Sequence, residues 1–223
     1  MCGRYQLIDP RERYEAEFDI KGPPPRWNWE PRYNFAPTQT GPFVAIESGA
    51  RHLKIGHWGL IPSWSKDGKM SYPTFNARAE TIQEKSSFRS AFKSRRAIIP
   101  ATAFYEWSGP KSDRVPHEIS GVDDHPLAMA GTWETWQSKD KSETITSFTI
   151  IVCAANDFMS ALHDRMPVIL ERSDYETWLA GSVEQAAALM KPGPEGILKE
   201  RTVSKALNSS KNEGSELISG DAI

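Results

Sequence analysis

A chain of 223 residues, 39% hydrophobic and 25% charged, has an ordinary globular composition and is long enough to bury a sizeable core. Its formal net charge of −2 excludes a general attraction for nucleic acid, so any such contact must rest on a local patch. Two cysteines, Cys2 and Cys153, exclude a disulfide scaffold and point to a reducing, cytoplasmic location. With five scattered histidines they offer no metal-ligand spacing, and no run approaches the ~18 apolar residues of a membrane span. No internal repeat or low-complexity linker divides the sequence. One domain over 1–223 is expected, with a polar tail from about 213.

Taken in order, the chain opens with Met1-Cys2-Gly3-Arg4, and no apolar run follows that would make it a signal peptide. Asp9-Pro10-Arg11-Glu12 predicts an N-cap, a proline at the first helical position and a short helix to about Phe18. The proline-rich stretch 21–37 reads as a long irregular loop. Segments 43–46 and 52–58 predict a hairpin around Ser48-Gly49, and 59–65 leaves it as an aromatic loop. A basic helix is expected over 87–93, then strands over 97–100 and 104–107 and a polar loop over 108–114. Strands over 127–133 and 147–155 carry the most apolar runs. Asn156 caps a short helix ending near His163, a strand spans 166–170, and Ser173 and Ser182 open two more helices. Strands and helices do not alternate as βαβ units, which favours an α+β fold.

Several groups of residues could carry chemistry. Removal of Met1 would leave Cys2 with an α-amine beside its thiol, and such a 1,2-aminothiol can condense with an aldehyde and close to a thiazolidine. The same thiol could instead attack an ester or amide, or simply lie near a frayed end. Strand alternation puts Thr102, Phe104 and Glu106 on one face, so Glu106 should be at least half buried. Burial would suit it either to proton transfer or to a structural ion pair. His163 and Arg165, within His163-Asp164-Arg165-Met166-Pro167, fit an acid–base group and an anion clamp, or a cationic helix C-terminus. If the stretch Asn76-Ala77-Arg78-Ala79-Glu80 is extended, it presents amide, guanidinium and carboxylate on one side. The aromatic loops holding Asn34, Pro37 and Trp64 could meet unstacked bases or serve as core. Cys153 lies in a buried apolar run and reads as core.

Together these stretches resemble the SRAP (SOS response-associated peptidase) family. The resemblance rests on Met1-Cys2-Gly3-Arg4-Tyr5, Tyr33-Asn34-Phe35-Ala36-Pro37, Trp58-Gly59-Leu60-Ile61-Pro62-Ser63-Trp64, Asn76-Ala77-Arg78-Ala79-Glu80-Thr81, Phe104-Tyr105-Glu106-Trp107 and His163-Asp164-Arg165-Met166-Pro167. The closing stretch from Val203-Ser204 to Asn212 completes it, so it spans nearly the whole chain. It implies an α+β fold, a mixed and mostly antiparallel sheet curled into a barrel-like core with short peripheral helices. It also implies covalent capture of abasic sites in single-stranded DNA by a monomer, with no cofactor, metal or membrane. By the family pattern Cys2, Asn76, Glu106 and His163 are catalytic, while Arg4, Asn34, Pro37, Trp64, Arg78 and Arg165 bind DNA. Two other readings are a thiol peptidase acting through Cys2 and a non-covalent binder of single-stranded or modified DNA. The chain departs from the pattern at Ser108, where family members often carry a basic residue, and at Leu207-Asn208 in place of Val-Asn.

Overall fold

The computed structural model describes residues 2–110 and 112–219; Met1 and the end of the expected polar tail lie outside the described residues. The chain starts as β1 (Tyr5–Leu7) and turns into α1 (Arg11–Glu17). Pro10 rather than Asp9 occupies the cap position of α1, and no side chain caps it. Asp9 is drawn elsewhere, because its carboxylate accepts from Arg13 at 2.7 Å and from the Thr102 hydroxyl at 2.8 Å. The stretch 21–37 is not all irregular, since β2 (Arg32–Phe35) pairs antiparallel with β1. The expected hairpin forms from β3 (Thr40–Glu47) and β4 (Ala50–Trp58). Its turn residues Ser48 and Gly49 have φ of 50° and 80°, a left-handed pair whose twist matches that of the strands.

Next come β5 (Asn76–Arg78), α2 (Arg89–Ser94), β6 (Arg96–Ala101) and β7 (Ala103–Ser108). The following β8 (Val115–Gly121), which no pattern in the sequence predicts, pairs with β7 along its length. His117 and Glu118 break its apolar pattern, and tertiary pairing supplies what propensity does not. The long strands β9 (Leu127–Gln137) and β10 (Thr144–Ala154) lead to α3 (Asp157–Ser160), where Asn156 accepts from the Met159 amide at 3.0 Å. Then follow β11 (Arg165–Pro167), α4 (Tyr175–Ala180), α5 (Val183–Ala188) with a Ser182–Gln185 capping box, and an unexpected β12 (Leu198–Thr202).

Strands β10, β4, β3, β6 and β9 close on themselves through the β9–β10 pairing into a five-stranded barrel. Only the β10–β4 pairing in this ring is parallel. A second sheet, ordered β12-β8-β7-β1-β2, is antiparallel throughout. The architecture is the α+β arrangement expected, a mostly antiparallel, barrel-like core with short helices around it. Among the described residues, no helix is long and apolar enough to cross a membrane.

Aromatic packing joins the two sheets at the point that matters for the site. Tyr5 of β1 lies 4.8 Å from Phe35 and 5.0 Å from Trp58, which stacks on Phe148 of β10 at 6.5 Å. Such pairs contribute about 0.5–1.5 kcal/mol each beyond the area they bury. The Trp58 indole also donates to the Phe75 carbonyl at 2.8 Å. One buried indole therefore fixes both the strand that follows Cys2 and the residue that precedes Asn76.

Candidate functional site

Glu106 owes its place to strand alternation. Phe104 packs into the main core, and Tyr105 faces the opposite side, under Val203, Leu207 and Leu217. Glu106 follows Phe104 inward and is 3% exposed. Burial raises its carboxyl above the ordinary value, against the pull of His163.

Cys2 is fully buried beneath the same region. Its carbonyl accepts from the Asn76 side-chain amide at 2.8 Å, and its thiol lies 3.9 Å from the Arg4 carbonyl oxygen. That carbonyl in turn accepts from the Tyr105 amide at 3.0 Å, so the opening residues are anchored to β7. Burial first, and the Glu106 carboxylate second, push the Cys2 thiol well above its usual range. Asn76 sits in β5, which pairs with β10 through Ile150↔Asn76 and Val152↔Arg78. The expected alternation holds, with Ala77 buried and Arg78 exposed. The Asn76 Oδ1 atom is buried without a hydrogen-bond partner among the described residues, leaving an acceptor for a bound hydroxyl.

A cleft of about 560 Å³ opens above these groups, walled by Gly3, Arg4, Glu106, Trp107, His163 and Asn208. His163 Nδ1 accepts from the Arg165 amide at 3.0 Å and lies 2.8 Å from Asp164 Oδ1. The amide bond assigns the proton of neutral imidazole to Nε2, whereas an imidazolium would turn to Asp164. Arg4 is clamped: it donates to Asn34 Oδ1 at 2.7 Å and to the Leu207 carbonyl at 3.2 Å, and lies 5.8 Å from the Trp107 ring centroid.

The remaining candidates are placed differently. Asn34 is fully buried, and its amide donates to the Ser209 and Asn212 carbonyls, so it holds Arg4 instead of facing a ligand. Arg165 makes a two-point ion pair with Glu80 at 2.7 and 2.6 Å. The Arg78 guanidinium, on an exposed residue, makes no hydrogen bond or ion pair among the described residues, whereas its backbone carbonyl accepts from the Thr81 and Ile82 amides. Pro37 borders a separate, mostly apolar cavity of about 820 Å³ with His57, Tyr72 and Phe75. Trp64, 55% exposed, lies beside Arg89 with its indole donating to the Ser86 carbonyl at 3.2 Å. Trp107, Arg114 and Asn208 belong to the cleft although the sequence singled out none of them as site residues. Adjacency to Glu106 was a usable signal for Trp107; Arg114 had none, because loop folding brings it there.

The molecule is thus of one recognisable type, a closed mixed barrel whose companion sheet presents a thiol near the chain start beside a buried carboxylate, an imidazole and an amide. The chain belongs to the SOS response associated peptidase (SRAP) family, whose model matches residues 1–210. It is 37% identical to the abasic site processing protein YoaM of Bacillus subtilis (strain 168), over 99% of each chain. It is 30% identical to the abasic site processing protein HMCES of Xenopus tropicalis, over 98% of this chain and 78% of that one. A crystal structure of a Bordetella bronchiseptica protein, 28% identical, superposes with a TM-score of 0.78 over 91% of this chain and 100% of that one. A Bacteroides thetaiotaomicron protein, 24% identical, shares the fold with a TM-score of 0.86 over 98% of this chain and 99% of that one.

Proposed function

We propose that this chain processes abasic sites in single-stranded DNA by capturing them covalently at Cys2 once Met1 is removed. The observation that carries the reading is the Asn76–Cys2 hydrogen bond, which fixes the second residue of the chain beside Glu106, below the cleft that His163 lines. An abasic sugar in its open form offers a C1′ aldehyde. The Cys2 α-amine adds to that carbonyl, the resulting carbinolamine loses water to give an imine, and the thiol adds to the imine carbon as its proton moves to nitrogen. The product is a thiazolidine. Glu106 and His163 move the protons of ring opening, dehydration and closure; Asn76 Oδ1 accepts from a sugar hydroxyl. Arg4 and Arg78 face the flanking phosphates, and Pro37 and Trp64 meet bases further along the strand. A monomer acting without metal or cofactor suffices for this chemistry.

The order of attack follows from electrostatics. Peptide hydrolysis needs a thiolate at neutral pH, whereas burial and the Glu106 carboxylate both push the Cys2 thiol up and so disfavour its thiolate. Amine addition comes first in aldehyde capture and needs no thiolate. This argues against the thiol peptidase reading.

The test is denaturing mass spectrometry after incubation with single-stranded DNA bearing one abasic site. An adduct on a chain lacking Met1, absent with intact DNA and absent in Cys2→Ala, is the expected result. Capture that survives Cys2→Ala would sink the proposal.

A further inference from the structure

Ser108, His117 and Glu200 stand at neighbouring positions of β7, β8 and β12, and none belongs to the machinery assigned above. Ser108 Oγ lies 2.7 Å from His117 Nε2, and His117 Nδ1 lies 2.8 Å from Glu200 Oε2. An ionised carboxylate only accepts, so Nδ1 carries the ring proton and Nε2 is left to accept from the serine hydroxyl. Hydroxyl, Nε2, Nδ1 and carboxylate in that order form the relay that activates a serine for acyl transfer.

We propose that Ser108, His117 and Glu200 form a second catalytic centre, which hydrolyses esters of small acyl groups. Ser108 ends β7, and Gly109 turns the chain at a φ of 81°, where a Cβ would lie 2.9 Å from the Asp113 carbonyl oxygen. The Gly109 N–H makes no hydrogen bond among the described residues. Among the described residues it is thus an unused donor immediately after the nucleophile, the position from which a backbone amide stabilises an oxyanion. Ser108 is half-buried and His117 is 8% exposed, so we assign esters of the smallest acyl groups as substrates. In the reaction Ser108 Oγ bonds to the ester carbonyl carbon as its proton passes to Nε2. The alkoxide leaves with that proton, and water then releases the acid by the same route. No oxidant or further reactant is needed.

The test uses no DNA, so its outcome is independent of the abasic-site reading. The full chain is incubated with p-nitrophenyl acetate and, separately, with a fluorophosphonate, and modified peptides are mapped by mass spectrometry. Turnover above the buffer rate, with label on Ser108, is expected. Ser108→Ala and His117→Gln should each lower kcat by about a hundredfold or more. Label on Cys2 or a lysine alone, turnover undiminished in Ser108→Ala, or an unlabelled wild-type chain that melts normally would overturn the proposal. The fluorophosphonate arm uses the wild-type chain alone, so it decides between these outcomes even where a variant fails to fold.

Discussion

Glu106 has to be ionised to act as a base, yet its burial holds the carboxyl above the ordinary value of about 4.3. The rate of covalent capture should therefore fall with decreasing pH through a window that begins above the usual carboxylate range. Glu106→Gln should abolish that limb along with most of the rate, which a pH series of adduct formation reads directly. Stability moves the opposite way. A raised folded-state value contributes stability that is present below the unfolded value and lost as pH rises through the folded one. Relieving the buried charge should raise the melting temperature of Glu106→Gln at pH 7 by roughly 2–4 °C, the effect of about 1 kcal/mol on a chain of this size. Below about pH 4 the gain should vanish.

Among the elements, the edge strand β2 and the segment after β12 cooperate to set Arg4. Glu213 accepts from the Asn34 backbone N–H at 3.1 Å and from Arg32 Nε at 3.1 Å, so its carboxylate substitutes for the strand partner that an edge lacks. Asn34 then links Arg4 to the Ser209 and Asn212 carbonyls. Asn34→Ala would strand buried polar partners and should cost about 2–4 kcal/mol, measured by chemical denaturation. Capture should also slow at saturating DNA, because Arg4 loses its orientation. In the barrel, Gly131 allows β9 and β10 to approach: a Cβ there would lie 2.5 Å from the Thr149 carbonyl oxygen. Backbone cannot step aside, so Gly131→Ala should destabilise by about 1–3 kcal/mol or more, again read from denaturant midpoints.

For the whole molecule, a net charge of −2 means that DNA affinity must come from a few placed cations. Arg165 is already neutralised by Glu80, and the reading proposed above assigns the phosphate contacts to Arg4 and Arg78. Two contacts to single-stranded DNA give a slope of log K against log salt of about −1.4. Arg78→Ala should halve that slope, whereas Arg165→Ala should change it little; fluorescence anisotropy across a salt series distinguishes them. A slope several times steeper would show a second basic surface in use.

The inward face of Glu106, the hairpin turn at Ser48-Gly49 and the cap at Asn156 were all legible in the sequence. Each depends on neighbours within a few positions, through alternation, turn geometry or capping, and the family motifs then tied them together in order. β8 and β12 were not legible, because their polar residues conceal strands that exist only through pairing with β7 and with each other. Nor could sequence tell that Asn34 lies beneath Arg4, that Glu80 occupies Arg165, or that Pro37 and Trp64 border other cavities than the reaction cleft. These are competitions among partners 30 to 180 positions apart, such as Arg4 with Asn34 and Tyr33 with Glu213. Local order along the chain settles which chemical groups are present and which way each element faces. Which groups meet is a tertiary matter, because barrel closure and the packing of Val203, Leu207 and Leu217 against Tyr105 of β7 set distances that no local rule contains.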